Sequence, residues 1–329
     1  MKKTLLCAVV AVSLLPAVQQ GNSPWLQVGQ TRFAGGFGQA LASDGRDLYI
    51  LRQFTENTRI DFQHLVLTDG LVTRTTNLTA PPLDVKDGTA IVFDPEGNLY
   101  AMFGAGYAEQ RRGFARYTAG RWIELSPTPA NQGAGDAMTF VSHQGQRYLY
   151  AMVGAASAQR PDAITAFLRY HLSSNRWEAM PLPPWECSDD GSALAWDGGE
   201  FVYALQGSDC QDQPTAAFAR YYLTLQLWER LAPVPAAVDY AGSLAWDGGQ
   251  FLYATTGAED PFEGRGFFRF DLIENVWDTS LPSLNCSVGD YNGNRLAIVD
   301  GRIFYWQGTP PTWTDAPECN GAGLYLATW

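Results

Sequence analysis

The sequence predicts an all-β protein, a six-bladed β-propeller, from three observations. Residues 190–231 and 240–280 are near copies: GSALAWDGGEFVYALQG in the first becomes GSLAWDGGQFLYATTG in the second. A period of roughly 40 to 50 residues is typical of repeat architectures, in which each unit buries its faces against its neighbours. Each unit divides into four short strands, the content of one propeller blade. Six such units begin near residues 37, 87, 136, 190, 240 and 291.

The unit at residue 190 shows how the strands are assigned. Small and apolar residues predict an inner strand, and the turn Asp197-Gly198-Gly199 that follows is typical of a β-hairpin. A polar loop then separates the second strand from the third, and prolines end the fourth. The four predicted strands are Ser192–Trp196, Phe201–Leu205, Ala217–Leu223 and Leu227–Leu231.

The chain begins with two lysines and an apolar run, MKKTLLCAVVAVSLLPAVQQ. This pattern predicts a secretory signal peptide over residues 1–20, a secreted or periplasmic protein and no membrane span after cleavage. An uncleaved anchor, or a lipoprotein signal at Cys7, is the alternative. Leu6 is too large for the position before a lipidated cysteine, which favours cleavage.

Residues 24–329 then form one propeller domain. Its first strand, Trp25-Leu-Gln-Val, matches the fourth strand of the full units, whereas the last unit ends after its third strand. We therefore expect residues 24–30 to pair beside residues 323–328 and complete the last blade, which leaves no open sheet edge. The alternative is that Trp25 belongs to a frayed terminus.

Four units share a strand that ends in a single glycine: Leu99 to Gly104, Leu149 to Gly154, Val202 to Gly207 and Leu252 to Gly257. An Arg-aromatic pair, a tryptophan and a Pro-rich exit follow. This pattern resembles the kelch repeat, although the kelch double glycine is reduced to one here. Blade one lacks both the glycine and the tryptophan. The resemblance implies a propeller such as the central domain of galactose oxidase or a sialic acid mutarotase, and it does not select an activity.

Four cysteines remain after the predicted cleavage, an even number in an exported chain. Cys187 and Cys286 lie in crossovers that lead into inner strands, and Cys210 and Cys319 lie in loops between second and third strands. Because both kinds of loop leave a blade at the same end, we expect the pairs Cys187–Cys210 and Cys286–Cys319. A cysteine metal site is the alternative.

Acidic residues recur at the starts of the inner strands, near one mouth of the central channel. Aspartates in such turns most often accept hydrogen bonds from backbone N–H groups. The alternative is a carboxylate-lined sugar pocket or a Ca²⁺ site, which needs six to eight oxygen ligands. Otherwise we expect no cofactor. The residues concerned are Asp87, Asp136, Asp190, Asp239 and Asp290.

Other recurring residues have a structural explanation. Arginines on the third strands are expected to pair with acids or stack on aromatic rings, and the tryptophans are expected in the core. The three histidines fall in different blades, which argues against a shared metal, and so against a copper oxidase. The recurring arginines and tryptophans are Arg116, Arg169, Arg220, Arg269, Trp122, Trp177, Trp228 and Trp277.

Net charge excludes some partners. The formal charge is −12, and it becomes −14 without Lys2 and Lys3, so nucleic acid and anionic membranes are unfavourable partners. We expect a monomer.

Two functions of different class stay open. The first is a propeller that binds a protein or a carbohydrate through the long loops between second and third strands. The second is a sugar-acting enzyme that resembles the sialic acid mutarotases, with an acid and an arginine such as Glu263 and Arg265, or Glu109 and Arg111. The first is favoured. Its candidate ligand-binding residues are Arg111, Arg112, Arg160, Asp212, Glu263, Arg265 and Trp313.

Overall fold

The computed structural model describes residues 23–30, 39–53, 59–104, 111–154, 166–240, 242–257, 265–285, 296–307 and 323–329. In these ranges the chain is all-β, and its 24 strands form six antiparallel sheets of four strands each. The sheets are six blades, as the sequence predicts.

Blades one to three follow one another along the chain, each from an inner first strand to an outer fourth strand. Blade one contains β2 (Ala40–Ser43), β3 (Leu48–Gln53), β4 (Ile60–Thr68) and β5 (Leu71–Asn77). Blade two contains β6 (Thr89–Phe93), β7 (Leu99–Phe103), β8 (Phe114–Thr118) and β9 (Arg121–Glu124). Blade three contains β10 (Ala137–His143), β11 (Gln146–Val153), β12 (Ala166–His171) and β13 (Arg176–Ala179).

Blades four and five repeat this order, and blade six takes its fourth strand from the N-terminal segment. Blade four contains β14 (Ala193–Trp196), β15 (Phe201–Leu205), β16 (Phe218–Tyr222) and β17 (Leu227–Arg230). Blade five contains β18 (Ser243–Trp246), β19 (Phe251–Thr255), β20 (Phe267–Asp271) and β21 (Val276–Asp278). Blade six contains β22 (Leu296–Val299), β23 (Arg302–Trp306), β24 (Gly323–Ala327) and β1 (Trp25–Gln30).

The inner strands form a closed ring, because each contacts the inner strand of the next blade and β22 contacts β2. Among the described residues, the apolar core divides into six clusters, and each cluster joins two neighbouring blades. Stability therefore depends on contacts between blades, as expected of a repeat protein.

The ring is closed by pairing between the two ends of the chain. β1 runs antiparallel to β24, with Trp25 opposite Ala327 and a register shift between Gln27 and Gly29. Trp25 is buried, and its ring makes edge contacts with Phe267 and Tyr305. This confirms that the N-terminal segment completes the last blade.

An indole hydrogen bond shows that Trp25 is one of a series. Its Nε1 donates to the Ser283 carbonyl at 3.0 Å, just after blade five. In four other blades the fourth-strand tryptophan donates in the same way to the segment that leaves the preceding blade, at 2.8 to 3.1 Å. These four rings are only partly buried, so each one packs against a core cluster and also fixes a crossover. The four are Trp122, Trp177, Trp228 and Trp277.

Candidate functional site

The two ends of the propeller differ in the segments that they carry. One end, which we call the loop end, carries the loops between second and third strands and the crossovers between blades. The other, the turn end, carries the short hairpin turns. At the loop end the two kinds of segment pair through their backbones: Gln132 N–H donates to the Arg111 carbonyl at 2.8 Å, and Val238 N–H donates to the Thr215 carbonyl at 2.7 Å. Loop and crossover are therefore one hydrogen-bonded layer.

A disulfide reinforces this layer. Cys187, in the crossover into blade four, is bonded to Cys210 in the loop of the same blade. Gln206 adds a hydrogen bond from its Nε2 to the Cys187 carbonyl, at 2.8 Å. The first predicted cysteine pair is therefore confirmed. Cys286 and Cys319 lie outside the described residues, so their pairing stays a prediction.

Glycines allow neighbouring crossovers to touch backbone to backbone around the channel. A Cβ on Gly88 would lie 1.8 Å from the Gly133 carbonyl oxygen, and one on Gly135 would lie 2.1 Å from the Asp189 carbonyl oxygen. A Cβ on Gly191 would lie 2.3 Å from the Asp239 carbonyl oxygen. No side chain fits in these gaps. The crossovers into blades two to five therefore form a continuous and rigid rim.

The acids predicted at the channel mouth lie in this rim. Asp87, Asp136 and Asp190 are buried, and Asp239 accepts a hydrogen bond from the Ser208 hydroxyl at 3.1 Å. Asp290 lies outside the described residues. Within the described ranges, no three Asp, Glu, His or Cys side chains are placed to hold one metal ion. The Ca²⁺ site stays a prediction.

Asp136 shows what such an acid does in the fold. Its Oδ1 accepts hydrogen bonds from the backbone N–H groups of Gly133 at 3.1 Å and Gly154 at 3.0 Å, so it ties its own crossover to the end of β11. Its Oδ2 is buried and has no hydrogen-bond partner among the described residues. Burial raises the pKa of Asp136 well above its ordinary value, although the two backbone N–H groups oppose the shift. Burial therefore favours the neutral form of this carboxyl.

This pKa shift gives a pH dependence with a defined sign. In the unfolded chain Asp136 ionises near pH 4, whereas in the folded chain it stays protonated to a higher pH. Its contribution to the free energy of unfolding is therefore complete below about pH 4 and declines as pH rises toward the folded pKa. Asp136→Asn keeps an oxygen acceptor and cannot ionise, so we expect it to flatten that decline in urea unfolding series between pH 4 and 8.

Asp136→Ala is the control for this measurement. It removes the acceptor for both N–H groups, so it should lower the free energy of unfolding at every pH, by about 1 to 3 kcal/mol. Identical slopes for wild type and Asp136→Asn would show that Asp136 is ionised in the folded protein.

The structure describes four of the seven residues predicted to bind a ligand. Arg111 lies 3.4 Å from the Asp84 carboxylate, and Arg112 donates from Nε to the Asn131 side chain at 2.9 Å. Asp212 is exposed at a loop tip with a positive φ, and Arg265 donates to the Asn285 carbonyl at 3.2 Å. All four are at the loop end. Arg160, Glu263 and Trp313 lie outside the described residues, as does Glu109.

Arg112 and Arg265 hold equivalent positions. Each lies two residues before the phenylalanine that starts a third strand, in blades two and five. In a six-bladed ring these two blades face each other across the central channel. Arg112 and Arg265 therefore lie on opposite sides of the loop end.

The turn end carries the recurring third-strand arginines. Arg169 pairs with Glu178 at 2.6 Å, Arg220 with Glu229 at 2.8 Å, and Arg269 with Asp278 at 2.6 Å. In each blade the acid lies directly opposite on the fourth strand. Each guanidinium also lies over an aromatic ring of the second strand, with ring distances of 4.3 to 4.8 Å. The predicted structural role of these three arginines is confirmed.

Two clefts open at the turn end between described residues. One, of about 170 Å³, lies between blades three and four and includes Arg169, Tyr148 and His143 in its lining. The other, of about 260 Å³, lies between blades two and three and includes Arg116, Asn98 and Leu172. The sequence predicts ligand binding at the loop end and not at this end.

These features define a class of protein: a β-propeller of six blades with a rigid loop end. No protein-family model and no curated protein matches the chain. Among solved structures, the chain is similar to one described as the structure of YjhT, with a TM-score of 0.64 and 17% sequence identity. The match covers 91% of this chain and 95% of that one. At this identity the similarity shows the fold. No helix among the described residues is long and apolar enough to cross a membrane.

Proposed function

We propose that the protein is an exported propeller of the kelch type that binds a protein or a glycan at its loop end. One observation carries the proposal. The rim of the loop end is held together by glycine contacts, backbone pairing and the Cys187–Cys210 disulfide. In the sequence, the segments between second and third strands at this end differ in length and charge. Variable loops on a rigid base are where binding usually resides.

Rigidity favours binding for an energetic reason. A loop that is ordered before it meets its ligand loses less conformational entropy in the complex, so more of the contact energy contributes to affinity. In this rim the crossover of blade four is held by a covalent bond and by several hydrogen bonds. Exposed arginine near the rim, such as Arg112, supplies charged hydrogen-bond donors for an acidic or hydroxyl-rich ligand.

The disulfide supports export, and the net charge limits the choice of partner. Disulfides persist in oxidising compartments, which agrees with the predicted signal peptide over residues 1–20 and a secreted or periplasmic location. The net charge of −12 disfavours nucleic acid. We propose a monomer that acts through a single loop end.

Replacing Arg112 and Arg265 together with alanine tests the proposal. We expect the double variant to keep the melting temperature of the wild type and to weaken ligand binding by at least about tenfold, because hydrogen bonds from charged groups contribute roughly 1.5 to 3 kcal/mol each. A glycan array and a capture screen with extracellular proteins would supply the ligand, and titration calorimetry would measure its affinity.

The matched control removes the same charge from the turn end. Arg46 is exposed in the hairpin turn between β2 and β3, and Arg302 is exposed at the start of β23, so their double alanine variant should bind like the wild type. Loss of binding in this control, with full binding in the Arg112 and Arg265 variant, would place the ligand at the turn end. If the ligand is a sugar whose anomers interconvert faster with the protein than without it, the enzymatic alternative replaces simple binding.

A further inference from the structure

Arg116 departs from the arrangement that its three counterparts share. Those counterparts each pair with a fourth-strand acid and lie over a second-strand aromatic ring. At the equivalent positions of blade two stand Ile123, which is opposite Arg116 in the ladder, and Asn98. Blade two has therefore lost both the acid and the ring.

The surroundings of Arg116 do not replace the missing partners. Its one side-chain partner is the Tyr100 hydroxyl, and within the described ranges it forms no ion pair. Its Nε is buried and has no acceptor among the described residues. Asp94 is nearby, but its carboxylate accepts hydrogen bonds from Tyr100 and from the Asn98 side chain and backbone in its own turn.

A cleft lies beside Arg116, where blade two lacks the acid and the aromatic ring of the other blades. The cleft beside Arg116 has a volume of about 260 Å³ and lies between blades two and three. Leu172 contributes an apolar wall, while Arg147, which pairs with Glu96, contributes a second cation at the edge. Pockets that bind drug-sized ligands have volumes of roughly 300 to 1,000 Å³, so this smaller cleft suits a smaller molecule with a single ring.

We propose that this cleft binds a small aromatic carboxylate. Its carboxylate would take the place of the absent acid on the Arg116 guanidinium, with the buried Nε–H among the donors. Its ring, which is coplanar with the carboxylate, would extend away from the guanidinium edge and pack against Leu172 in the space left by the missing side chains. The site is at the turn end, and it does not depend on binding at the loop end.

Benzoate is the probe for the test, with two matched controls. Benzamide keeps the ring and lacks the charge, and cyclohexanecarboxylate keeps the charge and lacks the flat ring. Titrations at fixed ionic strength, followed by NMR of the arginine Nε–Hε signals, should show benzoate binding at least about tenfold more tightly than benzamide, since charged hydrogen bonds have that strength. Cyclohexanecarboxylate should fall between them. The Arg116 signal should shift most.

Variants that exchange residues between equivalent positions of the blades test whether benzoate binds at Arg116. Ile123→Glu restores the cross-strand acid, so it should keep the melting temperature and weaken benzoate binding at least about tenfold. Arg116→Gln should also keep the melting temperature and weaken benzoate binding, and it provides the test if Ile123→Glu does not fold. Arg169→Gln is the control and should bind like the wild type. A double change of Glu178→Ile and Tyr148→Asn should give Arg169 a carboxylate site of its own.

Several results would overturn the proposal. Equal affinities for benzoate and benzamide would show that the charge is not recognised. Unchanged benzoate binding in folded Ile123→Glu and Arg116→Gln variants would place binding elsewhere. An equal loss of benzoate binding in Arg169→Gln would show that the arginines affect binding indirectly, by stabilising the fold.

Discussion

Replacing Trp25 with alanine should lower the free energy of unfolding by about 3 to 5 kcal/mol, the range for a buried tryptophan. The ring of Trp25 is 3% exposed, contacts Phe267, Tyr305 and Trp329, and donates to the Ser283 carbonyl. In a domain of this size the loss corresponds to a melting temperature about 10 °C lower, which scanning calorimetry would measure.

The effect should be large because Trp25 holds the strand that closes the ring. Without β1, the ladder partners of β24 would become an open sheet edge, and the contact between blades five and six would lose its central ring. Removing residues 23–30 should therefore destabilise the protein further than Trp25→Ala does.

Leu227→Ala is the matched control, since Leu227 is also on a fourth strand but is 45% exposed. It should change the free energy of unfolding by less than about 0.5 kcal/mol. If Trp25→Ala melted within a degree or two of the wild type, closure by β1 would not contribute to stability.

Replacing Gly88 with alanine should have an effect of similar size for a different reason. The φ of Gly88 is +77°, and a Cβ would lie 1.8 Å from the Gly133 carbonyl oxygen and 2.7 Å from that of Ala134. The left-handed backbone costs about 1 to 2 kcal/mol for a residue with a side chain, and overpacking adds about 1 to 3 kcal/mol. Urea unfolding should show the sum, because the rim between blades two and three must separate.

Gly97→Ala isolates the first contribution, the cost of the left-handed backbone. Its φ is +80°, close to that of Gly88, but a Cβ there would have no heavy atom within 4 Å. We expect this variant to lose only about 1 to 2 kcal/mol. Equal losses in the two variants would mean that the crossovers can move apart without cost.

The strands are well predicted from the sequence because equivalent residues recur at equivalent positions in several repeats. In the unit at residue 190, the predicted strand Phe201–Leu205 agrees with the structure residue for residue. The other three predicted strands extend at most one residue beyond the observed ones at either end. Turn glycines and strand-ending prolines fix these bounds locally. The pairing of Cys187 with Cys210 could also be derived, because register determines which loops share an end.

The site is less predictable from the sequence. The raised pKa of Asp136 depends on its burial among backbone groups, which no sequence pattern reveals. The special position of Arg116 did have a signal: the residue after the tryptophan is acidic in three blades and is Ile123 in blade two. Because the four arginines recur in the same register, the sequence predicts one structural role for all of them and does not single out Arg116.

The pairing of β1 with β24 also determines when the protein can fold. A chain that is synthesised from its N-terminus presents Trp25 first and its partner strand last, so the ring cannot close until almost the whole polypeptide is free. Contacts between such distant segments form slowly. Until β24 has been synthesised, β1 has no ladder partner, so closing the ring is the last step of folding.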